Sequence, residues 1–461
     1  MSRHIAILLA TALCIPFTAV ASPADQALAA RLDAAIAAYY PATGPGASVI
    51  VTRDGKTVLR KAYGMADLGA KVPMQVAMTQ RIGSLTKQFT ATAILMLADE
   101  GKLALSDPIT KFLPDYPVHG KTITIEHLLT HTSGIVSYTD KPTFGAMIAR
   151  DISVAELIDM FENDALISAP GSTFAYNNSG YVLLGAVIEK ISGMRYGKFI
   201  EQRIFVPLGM TQTAFEGMER TPGVRAAGHT RTSAGFGPSA VISPSVPYAA
   251  GALVSTVDDL ARWDTAITQG KLLRPATWAR AFTPYTLVNG SATQYGYGWY
   301  TRSLRGSPAI IHGGNIPGYA AYAVRLPRQN VYVALLVNAD SGMQSPEIVA
   351  KKAAAIAIDN PYPEYKAVAL DTAALDAYAG VYKLDEKSVR TVRREQDHLT
   401  VQRAGRGEPV SVYPRSGDRF FASSLLTQFR FERDARGDIT RLVLDDDGVE
   451  TLVPRTGPLP E

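Results

Sequence analysis

Strand-like runs lie at both ends of the larger, N-terminal part of the chain, and a helix-rich stretch separates them. Residues 47–53 and 57–62 flank Asp54-Gly55, a dipeptide that favours a hairpin turn, and two further runs cover 319–326 and 331–338. Helical patterns cover residues 24–40, 84–99, 152–163, 179–191, 256–268 and 346–357. This order predicts an α+β fold in which the first and last strands share one antiparallel sheet covered by helices.

The C-terminal part of the chain has a different pattern. Residues 359–370 include Asn360-Pro361-Tyr362-Pro363, which is typical of a linker. Residues 371–461 then contain short alternating runs separated by polar turns. The runs are 378–384, 399–403, 410–413, 429–433 and 442–444. We therefore predict a first domain over residues 22–358 and an all-β barrel or sandwich over 371–461.

The first 21 residues have the layout of a secretory signal peptide. Arg3 and His4 precede an apolar stretch over 5–20, and Ala19-Val20-Ala21 offers small residues for cleavage. The alternative is a membrane anchor, but Pro16 interrupts the stretch, which is short for a span. We expect cleavage after residue 21 and a periplasmic or secreted protein. Cleavage would also remove Cys14, the only cysteine.

Composition narrows the classes of partner. The chain has 46 basic and 42 acidic residues without a basic run, so nucleic acid is not an expected partner. After the signal peptide, no segment is apolar and long enough to span a membrane. The histidines show no metal-ligand spacing, and there is no P-loop and no Gly-x-Ser-x-Gly elbow. We expect no metal and no cofactor, and leave the oligomeric state open.

The first candidate for chemistry is Ser84-Leu85-Thr86-Lys87, at the start of a strong helical pattern. Residues three apart share one helix face, so the Ser84 hydroxyl and the Lys87 amine can meet. Serine needs a neighbouring base to become a nucleophile, and a desolvated lysine can serve as that base. The pair alone is weak, because a serine at a helix start with a solvated lysine is common.

A second candidate is Tyr176-Asn177-Asn178, which directly precedes a helical pattern. Tyr176 and Asn178 can project into one cleft, and a tyrosine beside a cationic lysine is expected to favour the phenolate and act as a base. The alternative is a turn tyrosine that packs its ring, with Asn178 as a helix N-cap.

The third candidate is His312-Gly313-Gly314-Asn315, after the strand-like Ala309-Ile310-Ile311. Gly313 and Gly314 would let the backbone approach a ligand closely, and nearby N–H groups can serve an oxyanion. The alternative is a glycine turn at a strand end.

In this order and spacing, the three motifs resemble those of the penicillin-recognising serine hydrolases. This superfamily includes class C β-lactamases, DD-peptidases, D-aminopeptidases and family VIII esterases. Residues 128–134, 181–185 and 249–253 are similar to further stretches of the same superfamily. The resemblance implies a β-lactamase/transpeptidase-like fold for the first domain. The C-terminal unit, with Tyr378-Ala379-Gly380-Val381-Tyr382 near its start, resembles lipocalin-like barrels.

The resemblance also implies roles for the motif residues. Lys87 and Tyr176 would deprotonate Ser84, Asn178 would position the lysine and the substrate amide, and the backbone N–H groups of Ser84 and Asn315 would hold the oxyanion. His312 departs from the β-lactamase pattern, in which a lysine helps to hold the substrate carboxylate.

Three functions follow as alternatives. The first is an exported serine hydrolase that cleaves amides or esters through an acyl-enzyme on Ser84, acting on D-amino-acid peptides or related to β-lactamases. The second is a carboxylesterase, and the third is a non-catalytic penicillin-binding or sensor protein. The substrate would be a small molecule or peptide. The barrel would bind a ligand, gate the active site or stabilise the protein.

Overall fold

The computed structural model describes residues 22–217, 223–386 and 388–459. The predicted signal peptide and Cys14 lie outside these residues. The strands of the first domain that form its main sheet are β1 and β2, and β10 to β13. Between them lie seven short strands, β3 to β9, in smaller sheets. The thirteen strands in chain order are Ala47–Arg53, Lys56–Tyr63, Met65–Asp67, Val72–Pro73, Gln80–Arg81, Ala214–Phe215, His229–Thr232, Gly235–Pro238, Leu253–Ser255, Tyr300–Leu304, Ser307–Ile316, Tyr319–Leu326 and Val331–Val337.

The main sheet joins strands from both ends of the domain, as the sequence predicts. Its order is β10-β11-β12-β13-β1-β2, and every neighbouring pair is antiparallel. β13 is buried along its whole length, because helices cover both faces of the sheet. The predicted hairpin of β1 and β2 turns at Asp54 and Gly55, both with positive φ.

Thirteen α-helices are present in the described residues, α1 to α13. In chain order they are Pro23–Ala37, Thr86–Asp99, Ile125–Leu129, Phe144–Met147, Val154–Asp159, Asn178–Ser192, Tyr196–Ile200, Val206–Leu208, Tyr248–Gly251, Val257–Thr268, Pro275–Ala281, Pro346–Ala357 and Thr372–Asp376. Short 3₁₀ turns cover Gly83–Leu85, Ile109–Lys111 and Tyr138–Asp140, and a π-helix covers Glu201–Phe205. The predicted helix over 152–163 is shorter than expected, ending at Asp159. None of these helices has the length and apolar character needed to cross a membrane.

Two hydrophobic cores flank the sheet. One lies between the sheet and α1 and α12, and the larger one fills the space around α2 and α6. Helix α2 is buried from Thr86 to Leu97, so it is enclosed on all sides by other elements. This burial takes Lys87, in its first turn, out of solvent.

The C-terminal unit is a closed antiparallel barrel of eight strands, β14 to β21, which confirms the predicted barrel. The strands are Gly380–Lys383, Val389–Glu395, His398–Arg403, Arg406–Pro414, Arg419–Phe421, Gln428–Arg433, Ile439–Asp446 and Val449–Gly457. The strands β15, β18 and β21 had no counterpart in the sequence prediction. The interior is filled by buried side chains that include Tyr382, Phe420 and Phe431.

Candidate active site

Ser84 lies in the 3₁₀ turn that precedes α2, and Lys87 lies in the first turn of α2. Gly83 has a φ of +49°, which directs the chain sharply into this turn. The Nζ atom of Lys87 lies 3.1 Å from Oγ of Ser84. The predicted contact between the hydroxyl and the amine is therefore present.

Lys87 is fully buried, and its amine has three oxygen neighbours. Besides Oγ of Ser84, Nζ donates to Oδ1 of Asn178 at 2.7 Å and to the carbonyl of Ala250 at 2.9 Å. Burial holds the pKa of Lys87 well below its usual value, because desolvation penalises the ammonium form. A neutral amine has two N–H groups and one lone pair. Asn178 and Ala250 take the two N–H groups, so the lone pair is left for the Ser84 proton.

Tyr176 lies beside the same two groups. Its phenol lies close enough to Ser84 for the serine to lower the pKa of the phenol, and Nζ of Lys87 lies 4.8 Å from its ring centroid. Burial raises the pKa of Tyr176 well above its usual value, and the Ser84 contact offsets this only in part. The expectation that Lys87 favours the phenolate is therefore wrong for this site, since the buried lysine favours its neutral form. Burial therefore favours the protonated phenol of Tyr176.

The N-cap of α6 is Asn177, whose Oδ1 accepts from the N–H of Gly180, and Asn178 is the first helical residue. Asn178 is oriented by two residues that the sequence analysis did not identify. Its Nδ2 donates to Oγ1 of Thr139 at 3.0 Å, and its backbone N–H donates to Oγ of Ser137 at 3.2 Å. The contact with Thr139 fixes the amide so that Oδ1 faces Lys87.

We expect Thr139→Val to lower kcat/KM about tenfold, because Nδ2 of Asn178 would lose its acceptor and the amide would no longer be fixed toward Lys87. Steady-state kinetics measures the change. Thr265→Val is the matched control, since Thr265 lies on an exposed face of α10 and bonds only the carbonyl of Ala261. Equal activity in both variants would show that Thr139 does not orient Asn178.

His131 anchors the segment that contains Tyr176. It is buried, and its Nδ1 accepts from the backbone N–H of Asn177 at 3.0 Å. Its ring lies 4.4 Å from the ring of Tyr176, centroid to centroid. His131 thus anchors the Tyr176-Asn177-Asn178 segment.

His312-Gly313-Gly314-Asn315 lies within strand β11, not in a turn after a strand. Nδ1 of His312 lies 2.6 Å from the carbonyl of Gly313, and Nε2 lies 3.0 Å from the hydroxyl of Tyr295. Because a carbonyl only accepts, Nδ1 carries the proton and Nε2 accepts from Tyr295. Burial lowers the pKa of His312 to about 3, so the ring is neutral at pH 7.

The two glycines of this motif allow β11 to lie directly against the Ser84 turn. A Cβ on Gly314 would lie 2.0 Å from the carbonyl oxygen of Ile82 and 3.0 Å from the backbone nitrogen of Ser84. A Cβ on Gly313 would lie 3.0 Å from the ring of Tyr322. The absence of side chains at these positions brings the backbone of Asn315 next to Ser84.

Gly314→Ala should displace β11 from the Ser84 turn, because a methyl group at 2.0 Å from a carbonyl oxygen cannot be accommodated. We expect kcat/KM to fall about 10²-fold, the effect of misplacing reacting groups by about 1 Å. The control is Gly145→Ala in α4, where an added Cβ meets nothing within 4 Å. A Gly314→Ala enzyme with full activity would contradict the close approach.

The site opens into a cleft of about 430 Å³. Ser84 and Tyr176 lie in its wall, together with the backbone of the third motif. The rest of the wall contains residues that the sequence analysis did not identify, namely Tyr300, Arg302, Tyr322 and Glu347. These residues are far apart in sequence and belong to no motif, so only the fold reveals that they share a cleft. Within residues 22–217, 223–386 and 388–459, no group of three or more His, Cys, Asp or Glu is arranged to hold a metal ion.

Comparisons with known proteins agree with this architecture. The family model described as Beta-lactamase matches residues 28–358, and one described as a domain of unknown function (DUF3471) matches residues 364–453. The chain is 30% identical over 433 residues to penicillin-binding protein 4* of Bacillus subtilis (strain 168), covering 89% of this chain and 94% of that protein.

Solved structures show the same relationship. The octameric penicillin-binding protein homologue from Pyrococcus abyssi is 27% identical with a TM-score of 0.67, covering 94% of this chain and 98% of that one. A D-stereospecific amidohydrolase from Streptomyces sp. is 29% identical with a TM-score of 0.61, covering 70% of this chain and 97% of that one. The chain therefore belongs to the β-lactamase family and is a hydrolase of the β-lactamase fold.

Proposed function

We propose that this protein is an exported serine hydrolase that cleaves amide bonds of D-amino-acid substrates through an acyl-enzyme on Ser84. The observation that carries the proposal is the 3.1 Å contact between Oγ of Ser84 and a buried amine whose other neighbours are both acceptors. This arrangement supplies a nucleophile with its base already in place. The preference for D-amino-acid amides is supported by the similarity to the D-stereospecific amidohydrolase. Export is supported by the signal-like pattern of residues 1–21.

The mechanism assigns one task to each group. Oγ of Ser84 attacks the substrate carbonyl carbon while its proton moves to Nζ of Lys87. The backbone N–H groups of Ser84 and Asn315 hold the negative oxygen of the tetrahedral intermediate. When the bond to the leaving group breaks, a proton passes from Lys87 through the phenol of Tyr176 to the leaving atom. Water then attacks the acyl carbon, and its proton passes through Tyr176 to Nζ of Lys87. Lys87 returns a proton to Oγ as the acyl bond breaks and Ser84 is released.

A carboxylesterase is the second candidate, and the state of His312 favours it. Both ring nitrogens of His312 have protein partners, and the ring is neutral, so the third motif offers no cation to a substrate carboxylate. His312 therefore gives substrates with a carboxylate no advantage over esters that lack one. For the same reason we expect weak β-lactamase activity.

The experiment is a substrate panel with the wild type and Ser84→Ala. It contains D- and L-phenylalanine amide, a peptide ending in D-Ala-D-Ala, 4-nitrophenyl butyrate and a chromogenic cephalosporin. Cleavage of the D-amide in preference to the L-amide, lost in Ser84→Ala, is expected. Cleavage of the ester alone would support the carboxylesterase. A wild type that cleaves none of these compounds would favour the non-catalytic sensor.

A further inference from the structure

The wall of the cleft contains an arginine with a buried nitrogen that lacks a hydrogen-bond partner in the described residues. Arg302 lies on β10, the strand next to the third motif, and lines the cleft with Ser84. Its Nη1 atom is buried and, within the described part of the chain, has no hydrogen-bond partner. Buried guanidinium nitrogens normally donate to carboxylates or other acceptors, so a buried Nη1 without a partner in a substrate cleft favours an anion there.

The position of Arg302 relative to the reacting groups is defined by ring stacking. The ring of Tyr176 is stacked on that of Tyr300 at 6.4 Å with an interplanar angle of 9°. The guanidinium of Arg302 lies over the ring of Tyr300, 5.0 Å from its centroid. Arg302 is thus linked to Tyr176 through the ring of Tyr300, and all three residues line the cleft that contains Ser84.

The barrel contacts the hairpin of β10 and β11, which contains Arg302. Strand β20 ends at Asp446, and Asp447 begins the turn to β21. Oδ1 of Asp447 accepts from the backbone N–H of Arg305 at 3.4 Å. Oδ2 of Asp447 accepts from the hydroxyl of Tyr362 in the linker at 2.5 Å. These contacts hold the barrel turn against the turn between β10 and β11, three residues from Arg302.

The C-terminal end of β20 also brings an acidic charge toward the cleft. The charge of Asp446 acts on Arg302 and on Tyr322, and the charge of Glu347 acts on the same two residues. Glu347 is paired with Lys351 at 2.7 Å, so part of its charge is already compensated. Asp446 is therefore the barrel's contribution to the electrostatics of the cleft.

We propose that Arg302 binds an anionic group carried by the leaving-group side of the substrate, and that Asp446 weakens this binding from the barrel. The proposal rests on the proposed function, since it places the leaving group beside Tyr176. A substrate carboxylate would complete the unpaired guanidinium with charge-assisted hydrogen bonds. Asp446 would repel the same carboxylate without touching it. The barrel thereby becomes a determinant of substrate charge selectivity.

The test compares two esters of the same shape, the acetyl esters of 4-hydroxybenzoate and of 4-hydroxybenzamide. Only the first has an anionic leaving group. The quantity measured is the ratio of kcat/KM for the acid to that for the amide. We expect Arg302→Gln to lower this ratio about tenfold and Asp446→Asn to raise it about two- to threefold. Arg302→Lys should keep part of the preference, because it retains the charge.

Asp438→Asn is the matched control, since it removes one acidic charge from the exposed turn between β19 and β20 and should leave the ratio unchanged. A ratio within twofold of wild type in Arg302→Gln, or a lower ratio in Asp446→Asn, would overturn the proposal. A lower ratio in Arg302→Gln and a higher ratio in Asp446→Asn cannot both arise from a general loss of structure.

A failure of the proposed function has a different signature. If the wild type hydrolyses neither ester, or if hydrolysis persists in Ser84→Ala, the function is wrong. Calorimetric binding of both esters to Ser84→Ala tests the anion site without turnover. Tighter binding of the acid, lost when Arg302→Gln is added, supports the site. Equal binding of the two esters overturns it.

Discussion

Lys87→Ala is expected to lower kcat/KM by about 10²- to 10⁴-fold, the usual contribution of a general base. The reason is that Nζ is the only amine beside Ser84 in the described residues, and it lies 3.1 Å from Oγ. The measurement is steady-state turnover of the best substrate of the panel. Lys198→Ala is the control, because Lys198 forms an exposed pair with Glu201 at 3.0 Å, of a kind that contributes little to stability. Activity within tenfold of wild type in Lys87→Ala would exclude Lys87 as the base.

The pH dependence gives an independent test of the same role. Because burial lowers the pKa of Lys87, the neutral amine forms at a lower pH than for an exposed lysine. Only the neutral form can accept the Ser84 proton. As the pH rises, kcat/KM should therefore increase up to the pKa of Lys87 and remain level above it. An enzyme whose activity rises only near the usual pKa of an exposed lysine would contradict the neutral amine.

Tyr176→Phe is expected to lower kcat/KM about 10²- to 10³-fold, because it removes the hydroxyl that passes the proton to the leaving group. The ring would still pack on His131 and Tyr300, so the fold should be retained. Tyr181→Phe is the control: it removes a hydroxyl from another buried ring near Lys87, one that donates to the carbonyl of Leu129. Its activity should stay within tenfold of wild type.

The pH profile of Tyr176→Phe separates two roles for the tyrosine. A protonated phenol acts as a proton donor, so the rise of activity with pH, set by Lys87, should persist in the variant. A phenolate base would instead be the source of that rise, which would then disappear in Tyr176→Phe. The second outcome would restore the sequence-based expectation that the structure corrects.

Much of the fold was predictable because its signals are local. The Asp54-Gly55 turn and the helix over 346–357 depend on nearby residues, and both are present as predicted. Barrel strand β15 was not predicted, because its sequence Val-Arg-Thr-Val-Arg-Arg-Glu has many charged side chains, and only Val392 is buried in the core. Glycines normally weaken strands, so Gly313 and Gly314 suggested a possible turn. Their place inside β11 depends on Ile82 and Tyr322, which are distant in sequence.

The candidate site also combines residues that the sequence predicts with residues that only the fold brings together. Ser84, Lys87, Tyr176 and Asn178 stand in short motifs, and the structure brings them together as the motifs predict. Thr139, which orients Asn178, has no distinctive spacing. Its role follows from the packing of the 3₁₀ turn over Tyr138–Asp140 against α6, a contact between segments far apart in sequence.

The protonation of Tyr176 was also beyond the sequence. From the sequence, Lys87 is expected to carry a positive charge. A positive charge beside Tyr176 would favour its phenolate. Burial of α2 reverses the first step, because it favours the neutral amine. The burial of Lys87 decides its charge, and burial depends on the fold.

Covalent labelling of Ser84 tests the central claim most directly. The protein is incubated with a fluorophosphonate, digested and mapped by mass spectrometry. The account predicts one phosphonyl group per chain on Oγ of Ser84, with much slower labelling in Lys87→Ala and none at this position in Ser84→Ala. Labelling of a different residue, or undiminished labelling in Ser84→Ala, would contradict it.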